Sequence, residues 1–285
     1  MEVKSFFDSQ TSTITHLIID QKSKNCAVID SVLNYDHSSG HITTESADDL
    51  ISHINNQKLQ LQWLLETHIH ADHLSAANYL REKLGGKIAI SKKIIDVVNY
   101  WAPLFNNADP ATLTALHFDH LFSDNEIFQI GELKAKIIYT QGHTQSCSSF
   151  IIEDAIFVGD LIFMPSIGTG RADFPGGDAK KMYHSIQKIF SFPDHFRIFT
   201  GHDYPAQDGE PQWQSTVAEQ KRNNILAKIN DEKEYVKIRK ERDQNKSAPK
   251  LLFPAIQFNI RAGKFPKKEN NNIAYIKIPI NLNLN

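Results

Sequence analysis

Residues 67–73, THIHADH, carry four side chains that can bind a metal ion: His68, His70, Asp72 and His73. They come directly after an apolar run, so a strand is expected to end where these side chains begin. Neutral imidazoles and a carboxylate are ligands of a borderline metal such as zinc or iron, whereas calcium and magnesium prefer oxygen ligands throughout. A lone histidine is usually packed or solvated, but four such ligands at this spacing indicate a metal site.

Three further candidate ligands each follow a glycine at the end of an apolar run. They are His143 in TQGHT, Asp160 in FVGDL and His202 in TGHDY. Glycine allows a sharp turn or a close approach to a ligand. Single Gly-His and Gly-Asp pairs are common in ordinary turns, but their repetition beside residues 67–73 indicates one shared site. The other histidines lack this context and are interpreted as solvated or packed in the core.

Elements that can hold these side chains are predicted from the apolar pattern. Strands are predicted at 14–20, 26–30, 61–67, 87–90, 134–140, 149–154, 155–160 and 196–201. Helices are predicted from Ala77 to Leu84, ending at Gly85-Gly86, and from the N-cap Asp178 to the stop at Pro193. Strands interspersed with helices predict a layered α/β protein, with antiparallel pairing across the tight joint at Glu153-Asp154.

The chain is expected to form one catalytic domain over 1–205, with residues 206–285 as an extension packed on it. Within the extension, 214–246 predicts a polar helix with an apolar stripe, and AYIKIPI at 274–280 resembles a strand. The stretch NYDHSSGH at 34–41 is expected to be a polar loop.

Composition excludes some classes of partner. The formal net charge of −2 gives no general attraction to phosphates or anionic lipid, so neither nucleic acid nor membrane is an expected partner. The first residues, MEVKSFF, lack the features of a signal peptide, and no apolar run reaches membrane-spanning length. The two cysteines, Cys26 and Cys147, lie in apolar surroundings and are expected to be free buried thiols, which fits a cytoplasmic location.

In this order, THIHADH, GHT, GD and GHDY resemble the metallo-β-lactamase superfamily, an αββα sandwich with its metals between the loops of the two sheets. This match covers most of 61–205. The stretch GTGRADFPGGDAKKMYHSI at 168–186 resembles the Gly-Arg-x-Asp-Phe signature of persulfide dioxygenases, the sulfur-oxidising branch. Residues 36–49 and 250–263 also resemble that branch, particularly bacterial members first called β-lactamase-like hydrolases.

The resemblance implies one ferrous ion, Fe(2+), held by His68, His143 and Asp160. Two imidazoles and one carboxylate leave coordination positions open for a substrate and oxygen, whereas zinc has no accessible redox change. The remaining candidates would orient these ligands through hydrogen bonds or mark a second metal position: His70, Asp72, His73 and His202.

The implied reaction oxidises glutathione persulfide with O2 to sulfite and glutathione, as in sulfide detoxification. Arg171 would bind a substrate carboxylate or brace its loop through backbone carbonyls, the alternative being an ion pair with Asp173. Tyr204 and Thr144 would donate hydrogen bonds to substrate or oxygen, although the Thr144 hydroxyl also fits a turn. Dimers are common in the branch that the chain resembles, which leaves a homodimer open.

Two alternatives remain open from the sequence. All seven possible ligands also suit a two-zinc thioester hydrolase of the glyoxalase II kind, in which Asp160 bridges two Zn(2+) ions and a metal-bound hydroxide attacks the substrate. The other alternative is a metal-dependent binding module that has lost turnover. Metal content, oxygen uptake and thioester hydrolysis separate the three.

Overall fold

Two six-stranded sheets form the centre of the molecule in the computed structural model, which describes residues 1–206 and 209–282. Sheet 1 has the spatial order β1-β2-β3-β6-β8-β9. Its strands are β1 (Glu2–Asp8), β2 (Thr13–Ile19), β3 (Asn25–Ile29), β6 (Gln60–Leu65), β8 (Lys87–Ser91) and β9 (His120–Phe122). The first three pair antiparallel, and β3, β6, β8 and β9 pair parallel.

Sheet 2 has the spatial order β10-β11-β12-β13-β14-β15. Its strands are β10 (Ile127–Ile130), β11 (Leu133–Tyr139), β12 (Ser148–Ile152), β13 (Ala155–Phe157), β14 (Arg197–Phe199) and β15 (Gln214–Thr216). Every pair is antiparallel except β13–β14. A small third sheet joins β5 (His41–Thr43), β4 (Val32–Asp36) and β7 (Leu74–Ser75).

Helices cover the outer face of each sheet. They are α1 (Glu45–Asn56), α2 (Ala77–Leu84), α3 (Ile94–Leu104), α4 (Pro110–Leu113), α5 (Ala179–Phe190), α6 (Val217–Asn223), α7 (Glu232–Asp243) and α8 (Leu252–Asn259). One apolar cluster joins sheet 1 to α1, α2, α3 and α8, and another joins sheet 2 to α5 and α7. A third cluster, rich in phenylalanine, fills the space between the sheets. These four layers confirm the predicted αββα sandwich.

The predicted strands and helices of the first 205 residues are present, with ends shifted by a few residues. Asp178 caps α5, and Glu153 makes the tight joint between β12 and β13 with φ +53°. The polar loop predicted at 34–41 is wrong in part. Residues 32–36 and 41–43 pair as the hairpin β4–β5, and only the turn between them lacks strand structure. Neighbouring strands supply hydrogen bonds that the polar sequence does not reveal.

Two predictions for residues 206–285 can be compared with the structure. The predicted helix at 214–246 is two helices, α6 and α7, preceded by the short strand β15. The strand-like end 274–280 is not a strand, because it pairs with no other strand of the described chain; the Gln257 amide instead binds the main chain of Lys277. Residues 207–208 and 283–285 lie outside the described residues, and the boundary at 205 stays a prediction.

None of the helices in the described ranges is sufficiently long and apolar to span a bilayer. Cys26 and Cys147 are both free and buried, as the sequence predicted. Burial raises the pKa of each thiol to about 12, so both are protonated at neutral pH.

Candidate metal centre

The ends of four strands meet at one edge of the sandwich. Strands β11 and β13 both run antiparallel to β12, and β14 runs parallel to β13, so all three end at the same edge of sheet 2. The end of β6 in sheet 1 lies against this edge, where the backbone N–H of Ser148 donates to the carbonyl of Thr67 over 3.0 Å. The loops that follow these strands therefore converge.

Two of the predicted glycines are required by close packing. Gly142 has φ +145°, and a Cβ there would lie 2.4 Å from Met182 on α5. Gly159 has φ +52°, and a Cβ there would lie 2.5 Å from Thr67 Oγ1. Because a side chain fits at neither position, these glycines allow His143 and Asp160 to follow the strands at once.

The structure brings His68, His143 and Asp160 together as one buried group. One potential ligand atom from each lies within 4.8 Å of the others, and His143 Nε2 is 3.5 Å from Asp160 Oδ2. His68 Nε2 and Asp160 Oδ1 are buried without a hydrogen-bond partner. Buried polar atoms are rarely unsatisfied, so these two fit a bound cation. The predicted ligand set is a compact cluster of two nitrogens and a carboxylate.

The far side of each imidazole in this cluster is fixed by a hydrogen bond. Thr67 Oγ1 donates to Asp30 and accepts from His68 Nδ1 over 2.9 Å. His143 Nδ1 donates to the carbonyl of Arg171 over 2.8 Å. Both bonds place the free lone pair on Nε2, toward the cluster. Burial first, and then the neighbouring histidines, lower the pKa of His68 far below its usual value, so the ring is neutral and able to bind a metal.

A second group adjoins the first. One ligand atom from each of His70, Asp72 and His73 lies within 4.8 Å of the others. His202 Nε2 lies 3.1 Å from Asp72 Oδ2 and 3.3 Å from Asp160 Oδ1, but neither contact has the alignment of a hydrogen bond. Burial lowers the pKa of His202, but the Asp160 and Asp72 carboxylates outweigh it, so the net shift is upward. The Asp160 carboxylate thus lies beside His143 of the first group and, on its other oxygen, beside His202.

His70 is oriented differently from the other histidines. Its Nε2 donates to Asp30 Oδ1 over 3.0 Å and lies 3.2 Å from Glu66 Oε2, while Nδ1 has no partner. Burial lowers the pKa of His70, but Asp30 and Glu66 raise it well above its usual value. The two buried carboxylates therefore hold His70 through Nε2, and Nδ1 is the atom of this ring that is left without a partner.

Sequence reasoning missed Asp30 and Glu66. Asp30 accepts hydrogen bonds from the backbone N–H and hydroxyl of Thr67, each over 2.8 Å, and so holds the loop that carries His68. Glu66 Oε1 accepts from Ser75 Oγ. Both acids directly follow the observed strands β3 and β6 and lie at the ends of the strands predicted at 26–30 and 61–67, which was the available signal. Neither follows a glycine, so the pattern used for the other ligands passed over them.

A cavity of about 380 Å³ opens beside Asp72, His143 and Asp160. Phe163, Phe174 and Tyr204 form much of its apolar wall. Four basic residues also line the cavity and form its basic wall: Arg171, Arg239, Arg242 and Lys246. The cavity can therefore hold a small molecule that carries negative charge.

Arg171 combines two of the contacts considered from the sequence. Its guanidinium donates two hydrogen bonds of 2.6 Å to the Asp173 carboxylate, and it also donates to the backbone carbonyls of Ser247 and Lys246 over 2.8 and 3.3 Å. The guanidinium carbon lies 4.8 Å from the centre of the Phe174 ring. Arg171 thus forms the ion pair and braces the loop while lining the cavity.

Tyr204 and Thr144 occupy different surroundings. Tyr204 lines the cavity, is 54% exposed and stacks on His202 at 6.0 Å between ring centres. Partial burial of the side chain and the negative charges of Asp160 and Asp72 raise the pKa of Tyr204, so the phenol stays protonated and can donate a hydrogen bond. Thr144 Oγ1 instead lies 3.1 Å from Cys147 Sγ within its own turn. The geometry favours Tyr204 over Thr144 for contact with a substrate.

Comparison with known proteins agrees with the architecture. Residues 17–202 match the family model for the metallo-beta-lactamase superfamily. A beta-lactamase hydrolase-like protein of Xylella fastidiosa is 43% identical over 98% of this chain, which spans 64% of that relative's length. Glyoxylase B2 of Dictyostelium discoideum is also 43% identical, over 98% of this chain and 97% of its own.

Relatives named for sulfur chemistry are more distant but cover nearly the same region. The human mitochondrial persulfide dioxygenase ETHE1 is 28% identical, over 92% of this chain and 88% of its own length. The crystal structure of ETHE1 from Myxococcus xanthus superimposes with a TM-score of 0.74 at 27% identity, covering 93% of this chain and all of that one.

Proposed function

The chain belongs to the metallo-β-lactamase superfamily, with persulfide dioxygenases among its relatives, and we propose that it is itself an iron-dependent persulfide dioxygenase. One observation carries the proposal: the buried cluster of His68, His143 and Asp160 faces a cavity with a basic wall. Two histidines and one carboxylate are the donor set of non-haem iron oxygenases.

The proposed substrate is glutathione persulfide. One persulfide, one O2 and one water give one glutathione, one sulfite and two protons, so the outer sulfur supplies all the electrons and no other reductant is required. Iron bound by His68, His143 and Asp160 would supply the redox chemistry that activates oxygen. The role of the protein is to hold persulfide and oxygen in one orientation, which lowers the entropic part of the barrier.

Residues of the chain have separate roles in this proposal. Arg242 and Lys246 of the basic wall attract the carboxylates of glutathione, and Arg171, which is paired with Asp173, braces its loop beside the cavity. The phenol of Tyr204 donates a hydrogen bond to the sulfur or the oxygen, and Phe163 and Phe174 limit access of water. His70 holds the ligand loop through Asp30, and the bond between His143 Nδ1 and Arg171 fixes the ring. Thr144 stays a weaker candidate, because its hydroxyl is engaged by Cys147.

A two-zinc thioester hydrolase is the second candidate function. His202 lies 3.1 Å from Asp72 of the second group and 3.3 Å from Asp160, which places the Asp160 carboxylate beside both groups, as a carboxylate that bridges two metals requires. Nε2 of His70 is held by Asp30 and Glu66, so Nδ1 is the only nitrogen of this ring that is open to a metal in either proposal.

The test is metal analysis after anaerobic purification, followed by oxygen uptake with glutathione persulfide. We expect one iron per chain, oxygen uptake, and sulfite formed in proportion to the oxygen consumed. Two zinc ions per chain with hydrolysis of S-lactoylglutathione and no oxygen uptake would support the hydrolase instead. Bound metal with neither activity would support a binding module. Gel filtration of the same sample tests whether the chain forms a homodimer, which the sequence left open.

A further inference from the structure

A buried ion pair lies in helix α7, outside the metal cluster. Arg239 is only 1% exposed, and it has the largest volume of the fully buried side chains in the described part of the chain. Its guanidinium donates to both carboxylate oxygens of Asp243, one turn further along the helix and 5% exposed. Charges buried in this way are costly unless every polar atom is paired, so such pairs rarely add much stability by themselves.

The remaining polar atoms of this pair bind one loop. Arg239 Nη1 donates to the carbonyl of Thr169 over 3.0 Å. Asp243 Oδ2 accepts from the backbone N–H of Ala172 over 2.9 Å. Tyr235, also on α7, places its hydroxyl 3.0 Å from Thr169 Oγ1. Helix α7 therefore holds both ends of residues 169–172.

That loop in turn contacts two of the proposed metal ligands. The carbonyl of Arg171 accepts the proton of His143 Nδ1 over 2.8 Å. The backbone at Gly170 packs so closely on Asp160 that a Cβ would lie 2.0 Å from its carbonyl oxygen. A shift of this loop would therefore disturb the orientation of the His143 ring and the backbone of Asp160 together.

We propose that the Arg239–Asp243 pair is a positioning device for the metal centre: it fixes residues 169–172, which in turn fix His143 and Asp160. The inference rests on the proposed metal ligands but does not depend on oxygen chemistry or on the identity of the substrate. It assigns a role in metal affinity to α7, which lies in the segment 214–246 that the sequence predicts only as a polar helix with an apolar stripe. Hydrogen-bond partners of metal ligands typically contribute 10- to 100-fold in affinity.

The test compares two double variants by titration of chelator-treated protein with Co(2+), whose visible absorption reports ligand geometry. In the first, Arg239→Met is combined with Asp243→Leu, which replaces the buried pair by apolar side chains. The matched control combines Lys237→Met with Glu241→Leu, because Lys237 and Glu241 form an exposed pair at 4.0 Å with the same spacing on the same helix.

We expect the Arg239→Met, Asp243→Leu variant to bind Co(2+) about 10- to 100-fold more weakly than wild type, with an altered absorption spectrum. The control should bind Co(2+) like wild type. A cooperatively melting Arg239→Met, Asp243→Leu variant with wild-type Co(2+) affinity and spectrum would overturn the proposal.

If that variant does not fold, Asp243→Asn decides. It removes the charge of Asp243 and one of its two acceptor oxygens but keeps the size of the side chain. A rise of about fivefold in the Co(2+) dissociation constant supports the proposal, and an unchanged constant and spectrum overturn it. A wild-type protein that binds Co(2+) normally but takes up no oxygen would contradict only the proposed function.

Discussion

Hydrogen bonds on the far side of each imidazole decide how the candidate ligands face the centre. In four of the candidate ligands, Nδ1 is hydrogen-bonded to a hydroxyl or carbonyl oxygen of the chain: His68, His73, His143 and His202. Their Nε2 atoms are left as the metal-facing atoms. His70 is the exception, because its Nε2 faces Asp30. The histidine types are evident from the sequence, but their orientations depend on partners such as Arg171 and Ser12, which are distant along the chain.

Two aspartates separate the one-metal and two-metal proposals. Asp160→Ala removes the carboxylate of the proposed ligand set, so we expect iron content and oxygen uptake to fall below about a tenth of the wild-type values. Asp72→Ala removes a carboxylate that lies only in the second group. We expect it to lower oxygen uptake less than tenfold and to leave about one iron per chain.

Metal analysis and oxygen uptake of both variants, prepared side by side, check this prediction. Retention of iron and activity in Asp160→Ala would show that the ligand assignment is incorrect. Loss of all metal in Asp72→Ala would favour the hydrolase.

Close packing between a loop and a helix fixes where His143 lies. Gly142 follows β11 and packs against Met182 on α5, while its carbonyl accepts from the N–H of the helix cap Asp178 over 2.8 Å. The sequence predicted both the glycine turn and the cap, but not their contact. The contact joins residues 40 positions apart, and local patterns do not report it.

Gly142→Ala should destabilise the protein by about 3 kcal/mol, because the new methyl group meets Met182 at 2.4 Å and the backbone keeps a positive φ. Gly40→Ala is the matched control, since Gly40 has φ +70° but open space around it, and its cost should be about 1–2 kcal/mol. Urea unfolding of the metal-free proteins measures both. Equal losses in the two variants would mean that the packing of Gly142 on α5 contributes nothing.

At the scale of the whole molecule, a neutral buried histidine connects the two sheets. His16 on β2 is 2% exposed, and its Nε2 donates to the carbonyl of Thr200, next to β14, over 3.0 Å. Burial lowers the pKa of His16 to about 4. The hydrogen bond to Thr200 and the negative charge of Asp30 raise this pKa, but by less than burial lowers it. Sequence analysis interpreted His16, like the other histidines outside the glycine pattern, as solvated or packed; the structure shows it packed, in a contact between the sheets that the sequence does not identify.

This shift predicts how stability changes with pH. Between pH 6.5 and 4 the unfolded chain binds a proton at His16 and the folded chain does not, so lowering the pH favours unfolding. At pH 5 the loss due to His16 is on the order of 2 kcal/mol relative to pH 7. Between pH 7 and pH 5, the free energy of unfolding of His16→Gln should therefore fall by about 2 kcal/mol less than that of the wild type. Urea unfolding of chelator-treated protein at the two pH values measures this difference. His41→Gln, which removes an exposed imidazole, is the control, and identical slopes for wild type and His16→Gln would contradict the assignment.

Where prediction of the fold failed, the structure depends on contacts that join distant segments. The hairpin β4–β5 contains the polar stretch 34–41, and its strand β4 also pairs with β7 on the other side. The segment 274–280 alternates like a strand but has no partner strand among the described residues. A strand requires a suitable residue pattern and a neighbouring strand with unpaired backbone N–H and C=O groups. Only the residue pattern can be seen in the local sequence.

The amino-acid sequence alone determined the ligand types, the strand ends that carry them, the glycines before them and, through its motifs, the αββα sandwich. These features are local, because a ligand, a turn and an apolar period are each set by a few adjacent residues. The tertiary structure decided which nitrogen of each histidine faces the centre, and that His70 binds Asp30 and Glu66. It also showed that α7 holds the loop behind His143. Those features depend on hydrogen bonds and burial between segments far apart in the chain, which exist only once the two sheets have packed.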